Sequence, residues 1–396
     1  MIDRLRLPIY LDHQATTPVD PRALEAMLPY FTEQFGNPAS KNHLYGREAH
    51  RAVEAAREAI GKSINAKAQD ICFTSGATEA INLAIKGVFY AHKKKSPHFI
   101  TVATEHKAVL DAMKRIESEG ARVTCLPVDG LGILDPEVVV KAICHETVMV
   151  STMAANNEIG VLQPLKEVGR ICREKNVFFM TDATQALGKI PLDVQEMNID
   201  LLACSAHKLY GPKGIGALYC RRSLPRVPIL PIIDGGGHER GLRSGTLNVP
   251  GIVGFAKAVE ISIREMRAEQ ERLRRFRDDL LERLRSALPD VRMNGHPHNR
   301  LAGNLNIYIP GVESEALIIA LTNEVAISSG SACTTAAIEP SHVLKAIGLC
   351  EADINSSIRI GIGRFNSANE MQFAADSVIR EVNRLRALIM SGRMKQ

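Results

Sequence analysis

Residues 201–220, "LLACSAHKLYGPKGIGALYC", set two apolar runs, 201–204 and 215–220, on either side of a turn built from glycine and proline. Both runs read as buried strands, yet the turn between them carries His207 and Lys208. Lysine is rarely buried without a partner, so something at that turn must receive its charge. Outward from this pair the pattern repeats. "DICFTS", "HFITV", "RVTCLPV", "TVMVSTM" and "VFFMTDA" are further short apolar runs, and "NHLYGREAHRAVEAAREAIGKSI", "EHKAVLDAMKRIESEG" and "QPLKEVGRICREKN" are amphipathic segments between them. Such alternation predicts an α/β fold, a mostly parallel sheet covered by helices on both faces. Residues 251–288 form a long charged helical pattern, expected to bend near its middle and to lead to a smaller α+β unit beyond residue 303.

The totals are those of an ordinary globular chain: 396 residues, 45% hydrophobic and 23% charged, enough for a sizeable core. No run of 18 apolar residues exists to span a membrane. The start, "MIDRLRLPIYLDHQATTP", lacks the apolar core of a secretory signal, so a cytoplasmic location is expected. The net charge of +5 is small and dispersed, and the basic patch "HKKKSPH" at 92–98 reads as a solvated loop. Neither a nucleic-acid site nor a membrane partner is expected. Eight cysteines form no CxxC pair, which points away from a zinc ribbon or a redox motif, and no metal is expected. Seven of them lie in apolar or helical contexts and read as small hydrophobes.

Two further stretches can carry chemistry. In "FTSGATEAINLAI", 73–85, a strand runs straight into a helix. The free N–H groups there, with the Thr78 hydroxyl, make either an anion cup or a simple helix cap. "GPKGIG" fits no nucleotide-loop spacing. In "VFFMTDATQALG", 177–188, Asp182 emerges at a strand's carboxyl end, where open α/β sheets bind ligands; taken alone it could also cap the following segment. Lys208 follows a neighbouring strand and can reach the same crevice. An aldehyde cofactor with a phosphorylated pyridine ring needs all three features: a lysine for the Schiff base, a carboxylate for the ring nitrogen and a cup for the phosphate.

The motifs "YLDHQATTP", "FGNPAS", "FTSGATEAINLAIKG", "TEHKAVL", "NNEIGVLQP", "TDATQALGKIPLD", "SAHKLYGPKGIGALY", "GGGHERGLRSGT" and "SSGSACTT" occur in this order. Together they resemble the cysteine desulfurases of the NifS/IscS type, fold-type I enzymes that use pyridoxal 5′-phosphate (PLP). The resemblance implies a large domain, residues 16–262, with a mostly parallel seven-stranded sheet flanked by helices. It implies a smaller α+β domain from residues 1–15 and 263–396 that carries the cysteine loop. It also implies that Lys208 holds PLP as a Schiff base, Asp182 pairs with the ring nitrogen, and Gln185 with the ring hydroxyl. His106 would stack on the ring, and Asn157 would lie near the ring hydroxyl and the substrate carboxylate. Ala77, Thr78, Ser205 and His207 would hold the phosphate, joined by Thr246 from a second copy of a homodimer. Arg359 would bind the substrate carboxylate, a task suited to its planar fork.

Cys333 sits in "AISSGSACTTAAIEP", 326–340, among serine, glycine, alanine and threonine. That composition predicts an exposed loop, unlike the settings of the other cysteines. The implied activity is removal of sulfur from L-cysteine, giving L-alanine and a persulfide on Cys333. His106 is a candidate for taking the thiol proton. The sulfur would pass to an acceptor protein for iron–sulfur cluster assembly or another thiolation. The chain ends at "LRALIMSGRMKQ", short of the tail that some relatives use to dock a cluster scaffold, which leaves the acceptor open. Rival readings are a selenocysteine lyase or an aminotransferase of the same fold, and a binding protein that has lost catalysis. The cysteine loop argues against an aminotransferase, and the presence of Lys208, Asp182 and Cys333 argues against the last.

Overall fold

The computed structural model describes residues 5–329 and 340–393. Its main sheet contains β1 (Ile71–Thr74), β2 (His98–Val102), β3 (Arg122–Leu126), β4 (Thr147–Ser151), β5 (Phe178–Asp182), β6 (Leu201–Ser205) and β7 (Gly216–Cys220). Their spatial order is β1-β7-β6-β5-β4-β2-β3, and only β7 runs against the rest. The seven-stranded, mostly parallel sheet is therefore as expected from the sequence.

The buried strands read as unbroken apolar runs because both sheet faces are covered. Side chains alternate between two cores. Phe179, Leu202 and Cys204 enter one core with Val53, Ile60 and Phe255. Met180, Leu201 and Ala203 enter the other with Leu83, Phe89, Val109 and Met113. The covering helices are α1 (Leu44–Ser63), α2 (Ala77–His92), α3 (Lys107–Ser118) and α4 (Leu165–Glu174). In α4 the residues Leu165, Val168, Ile171 and Cys172 are buried, the spacing of one helical face.

The long helix α5 (Val249–Ala287) runs 39 residues, and the expected bend does not interrupt it. Its first half packs Ile252, Phe255 and Val259 on the large sheet. Its second half packs Leu273, Leu280 and Leu284 in a separate core. That core belongs to a four-stranded antiparallel sheet of β8 (Arg292–Met293), β9 (Asn304–Tyr308), β10 (Ser328–Ser329) and β11 (Ser357–Gly361), in the order β10-β11-β9-β8. The last helix, α6 (Ala368–Arg393), covers it, and Ile9 and Leu11 from near the amino end join the same core.

The cysteines correct one expectation. Cys72, Cys172, Cys204 and Cys220 are buried as small hydrophobes, but Cys125 and Cys350 are exposed and Cys144 is half-buried. Cys125 lies on β3, the sheet's outermost strand, and Cys350 caps a short helix. An apolar local sequence does not bury a residue where no second layer covers it.

Candidate active site

A cavity of about 610 Å³ opens where β5 and β6 end and β1 turns into α2. That is a usual size for a small-molecule site. It is lined by ten of the residues singled out in the sequence: Ala77, Thr78, His106, Asn157, Asp182, Gln185, Ser205, His207, Lys208 and Arg359.

The cup comes first. Gly76 precedes α2 without a side-chain cap, so the N–H groups of the first turn stay available beside Thr78. The neighbouring hairpin approaches very closely. A Cβ on Gly216 would lie 2.5 Å from the Cys204 carbonyl oxygen and 2.7 Å from the Gly76 Cα. Only glycine lets β7 bring the Ser205–Lys208 turn against the cup. His207 is held by its Nδ1 against Thr16 Oγ1 at 3.1 Å. Burial, then the charge of Lys208, lowers its pKa to about 4.

The floor rises from the strand ends. Asp182 closes β5 and accepts the Thr184 N–H through Oδ1 at 2.9 Å. Thr184 Oγ1 is buried with no hydrogen-bond partner among the described residues. Behind the floor, Glu105 is fully buried; burial and the charge of Asp182 hold its carboxyl well above the usual carboxylate range. Next to it, His106 opens α3 and accepts the Ala108 N–H through Nδ1 at 3.1 Å. Its ring is open to the cavity but hemmed in by protein, and this desolvation lowers its pKa. A neutral ring with Nδ1 accepting carries its proton on Nε2, so His106 presents an N–H to the cavity.

The answer to the opening question comes from far along the chain. Lys208 Nζ donates to the carbonyl oxygens of Gln14 and Ala15, both at 2.6 Å. Gln14 O also accepts the Gln185 amide N–H at 2.8 Å. The segment 12–17 is a strap between the two units. His13 N donates to Gly361 O on β11, and Thr17 Oγ1 donates to His207 O.

Arg359, on β11, is almost fully buried. Its Nη2 donates to Asp12 Oδ1 at 2.8 Å and its Nη1 to Asn157 O at 3.1 Å, while Nε has no partner among the described residues. Asp12 Oδ2 accepts the Ser328 hydroxyl at 2.8 Å. Glu158, beside Asn157, binds the Ser341 hydroxyl, and burial lifts its pKa to about 7.

Two sequence candidates stand apart from this group. Thr246 is exposed and does not line the cavity, although Arg243 three residues earlier pairs with Glu79 in the first turn of α2. Cys333 lies outside the described residues. Conversely, sequence reasoning gave no role to Asp12, Gln14, Ala15, Thr16, Glu105 or Thr184. The signal was present in "YLDHQATT" and "TEH", but the contacts are nearly two hundred residues apart for Lys208 and more for Arg359.

The residues fit a phosphorylated pyridine aldehyde. An uncapped helix start and a hydroxyl suit the phosphate, a carboxylate at a strand end suits the ring nitrogen, and a lysine amine lies in the same cavity. The Arg359 guanidinium lines the same cavity and suits a carboxylate.

Comparison with known proteins agrees with this reading. The family model described as "Aminotransferase class-V" matches residues 9–373. The chain is 53% identical over 389 residues to the cysteine desulfurase IscS of Rickettsia bellii, covering 98% of this chain and 94% of the relative. Among solved structures, a NifS-like protein superposes with a TM-score of 0.89 at 36% identity, covering 95% of this chain and all of the other. A structure described as SspA in complex with cysteine gives a TM-score of 0.80 at 36% identity, covering 91% and 100%.

Proposed function

The chain belongs to the class-V aminotransferase family, and from that premise we propose the roles of its residues in a PLP-dependent cysteine desulfurase, an enzyme that takes sulfur from L-cysteine and leaves L-alanine. The observation that carries the reading is the convergence of Lys208, Asp182, the α2 cup and Arg359 on one cavity. PLP supplies the electron sink that makes the Cα proton of an amino acid removable.

Lys208 would hold the cofactor aldehyde through its amine, and the same amine is placed to take the Cα proton of the substrate. The Gln14 and Ala15 carbonyls hold that amine over the floor. Asp182 would keep the ring nitrogen protonated and Gln185 would serve the ring hydroxyl. The α2 start, Thr78, Ser205 and His207 would hold the phosphate. Arg359 binds the substrate carboxylate, with Asn157 and Asp12 fixing the guanidinium. Cys333 attacks the substrate sulfur as a thiolate: the S–S bond forms, the Cβ–S bond breaks, and alanine leaves after its β-carbon takes a proton. His106, with Nδ1 engaged by the Ala108 N–H, is better suited to stack and donate from Nε2 than to deprotonate Cys333.

Thr246, exposed on a segment tied to α2 through Arg243 and Glu79, completes the phosphate site of a second copy in a homodimer. The persulfide passes to an acceptor protein, an iron–sulfur scaffold or a thiolation enzyme. Among the described residues no helix is long and apolar enough to cross a membrane.

Borohydride reduction of the holoenzyme followed by peptide mapping tests the anchor. The pyridoxyl label is expected on Lys208, and a label elsewhere overturns the assignment. Turnover of L-cysteine should yield alanine without any added ketoacid, which an aminotransferase would require. Cys333→Ala should bind substrate and release no sulfur.

A further inference from the structure

Behind Gln185 lies a second lysine that the proposed mechanism does not use. Lys189 follows the same turn, and its Nζ donates to Gln185 Oε1 at 3.0 Å. Among the described residues this is its one side-chain hydrogen bond, and it makes no ion pair within 4 Å. It borders a cavity of only about 20 Å³, shared with His13, Gln14, Tyr210 and Glu269. That space has room for about one water, so Lys189 is not there to hold a ligand of its own.

An amide side chain has an acceptor end and a donor end of nearly the same shape, and its neighbours decide which faces where. An ammonium has donors only, so Lys189 can meet only the oxygen end of Gln185. The –NH2 end is then turned toward the Gln14 carbonyl, at 2.8 Å, the same oxygen that accepts from Lys208. Reversing the amide would set –NH2 against the lysine and oxygen against oxygen at Gln14.

We propose that Lys189 is a positioning residue for the cofactor, fixing the Gln185 amide so that its N–H end serves the ring-hydroxyl edge. This rests on reading Gln185 as the partner of that hydroxyl. The surroundings agree. Burial and the nearby charge of Lys208 lower the Lys189 pKa to about 7, only partly offset by Glu269, and Glu269 is itself engaged by the Arg364 Nε at 2.7 Å. His13 and Tyr210 complete the ring of titratable groups facing it. In its ammonium form Lys189 has donors only; when neutral its N–H can still donate to Gln185 Oε1 while the Gln14 carbonyl, an acceptor only, keeps the –NH2 end in place.

The test is PLP retention by the full-length holoenzyme, read from the visible cofactor band during dialysis and from PLP titration of the stripped protein. Lys189→Met should weaken PLP binding about tenfold, the scale of one oriented hydrogen bond, and shift the visible band. Lys189→Gln and Lys189→Arg, which still donate, should stay within about threefold of wild type on the same scale. Gln185→Leu keeps Lys189 and removes the amide it orients, so it should reproduce the tenfold loss even if Lys189→Met folds poorly. The proposal is overturned if Lys189→Met or Gln185→Leu holds PLP as wild type does, or if Lys189→Gln is as poor as Lys189→Met. A wild-type protein with no visible band would instead sink the cofactor reading itself.

Discussion

The two walls of the cavity are built in different ways. The wall proposed to face the cofactor comes from strand ends and the turns directly after them: Gly76–Thr78 after β1, Asp182–Gln185 after β5, and Ser205–Lys208 after β6. Each group is fixed by a few consecutive residues on a sheet buried on both faces. The wall proposed to face the substrate carboxylate comes from the strap 12–17 and from β11 of the smaller unit, held by Asp12, Arg359 and Ser328. The supports of the first wall are local and packed. The second depends on two units staying docked, so it is the side where binding and stability are tied together.

Removing the group that joins both walls should have the largest effect. Lys208→Ala is expected to abolish turnover and the borohydride label, because the amine both anchors and accepts the proton; steady-state assays and peptide mapping check this. On the cofactor wall alone, Asp182→Asn should lower kcat about 10³-fold while leaving the melting temperature nearly unchanged, within the range for loss of a proton-controlling group.

Acid should open the strap side. His13 is buried between Tyr10 and Tyr210, and burial with the nearby Lys189 charge lowers its pKa to about 4 from 6.5. The unfolded chain therefore takes a proton near pH 6.5 that the native state refuses until about pH 4. His13 alone should contribute a fall in stability across that window, about 3 kcal/mol at its lower end, with His207 adding in the same sense and Glu158 opposing it. Denaturant titrations at several pH values measure the slope, and His13→Phe should flatten it.

Smaller effects separate binding from docking. Arg359→Lys should raise KM about 30-fold with a modest change in kcat, since a point charge replaces a planar fork. Asp12→Asn can still accept from Arg359, but its –NH2 end forces the Ser328 bond to reverse and a buried guanidinium loses its counter-charge, so it should cost about 3 kcal/mol of stability. If Asp12→Asn lowered kcat as far as Asp182→Asn does, the distinction between the two walls would fail.

Much of the cofactor wall was legible in the sequence because its chemistry and its support are contiguous. "TSGAT", "TDATQ" and "SAHK" each join a strand to a turn, and strand ends on one edge of a parallel sheet must converge. The strap was not legible in the same way. "YLDHQATT" offers a carboxylate that meets Arg359 and two backbone carbonyls, of Gln14 and Ala15, that receive Lys208 and Gln185, and no periodicity reports a contact across the chain. Cys125 failed for a related reason: its local pattern is that of a buried strand, and only the sheet order puts that strand at an edge.

The sequence by itself determined the alternation of strands and helices, the lysine and the carboxylate that share the cavity, and the small-residue composition around Cys333. It could do so because hydrophobic period and side-chain chemistry are local properties. Tertiary structure alone decided which carbonyls receive the Lys208 amine, which carboxylate holds Arg359, and which way the Gln185 amide faces. Those are matters of distance between segments far apart along the chain, set by how two cores pack against each other.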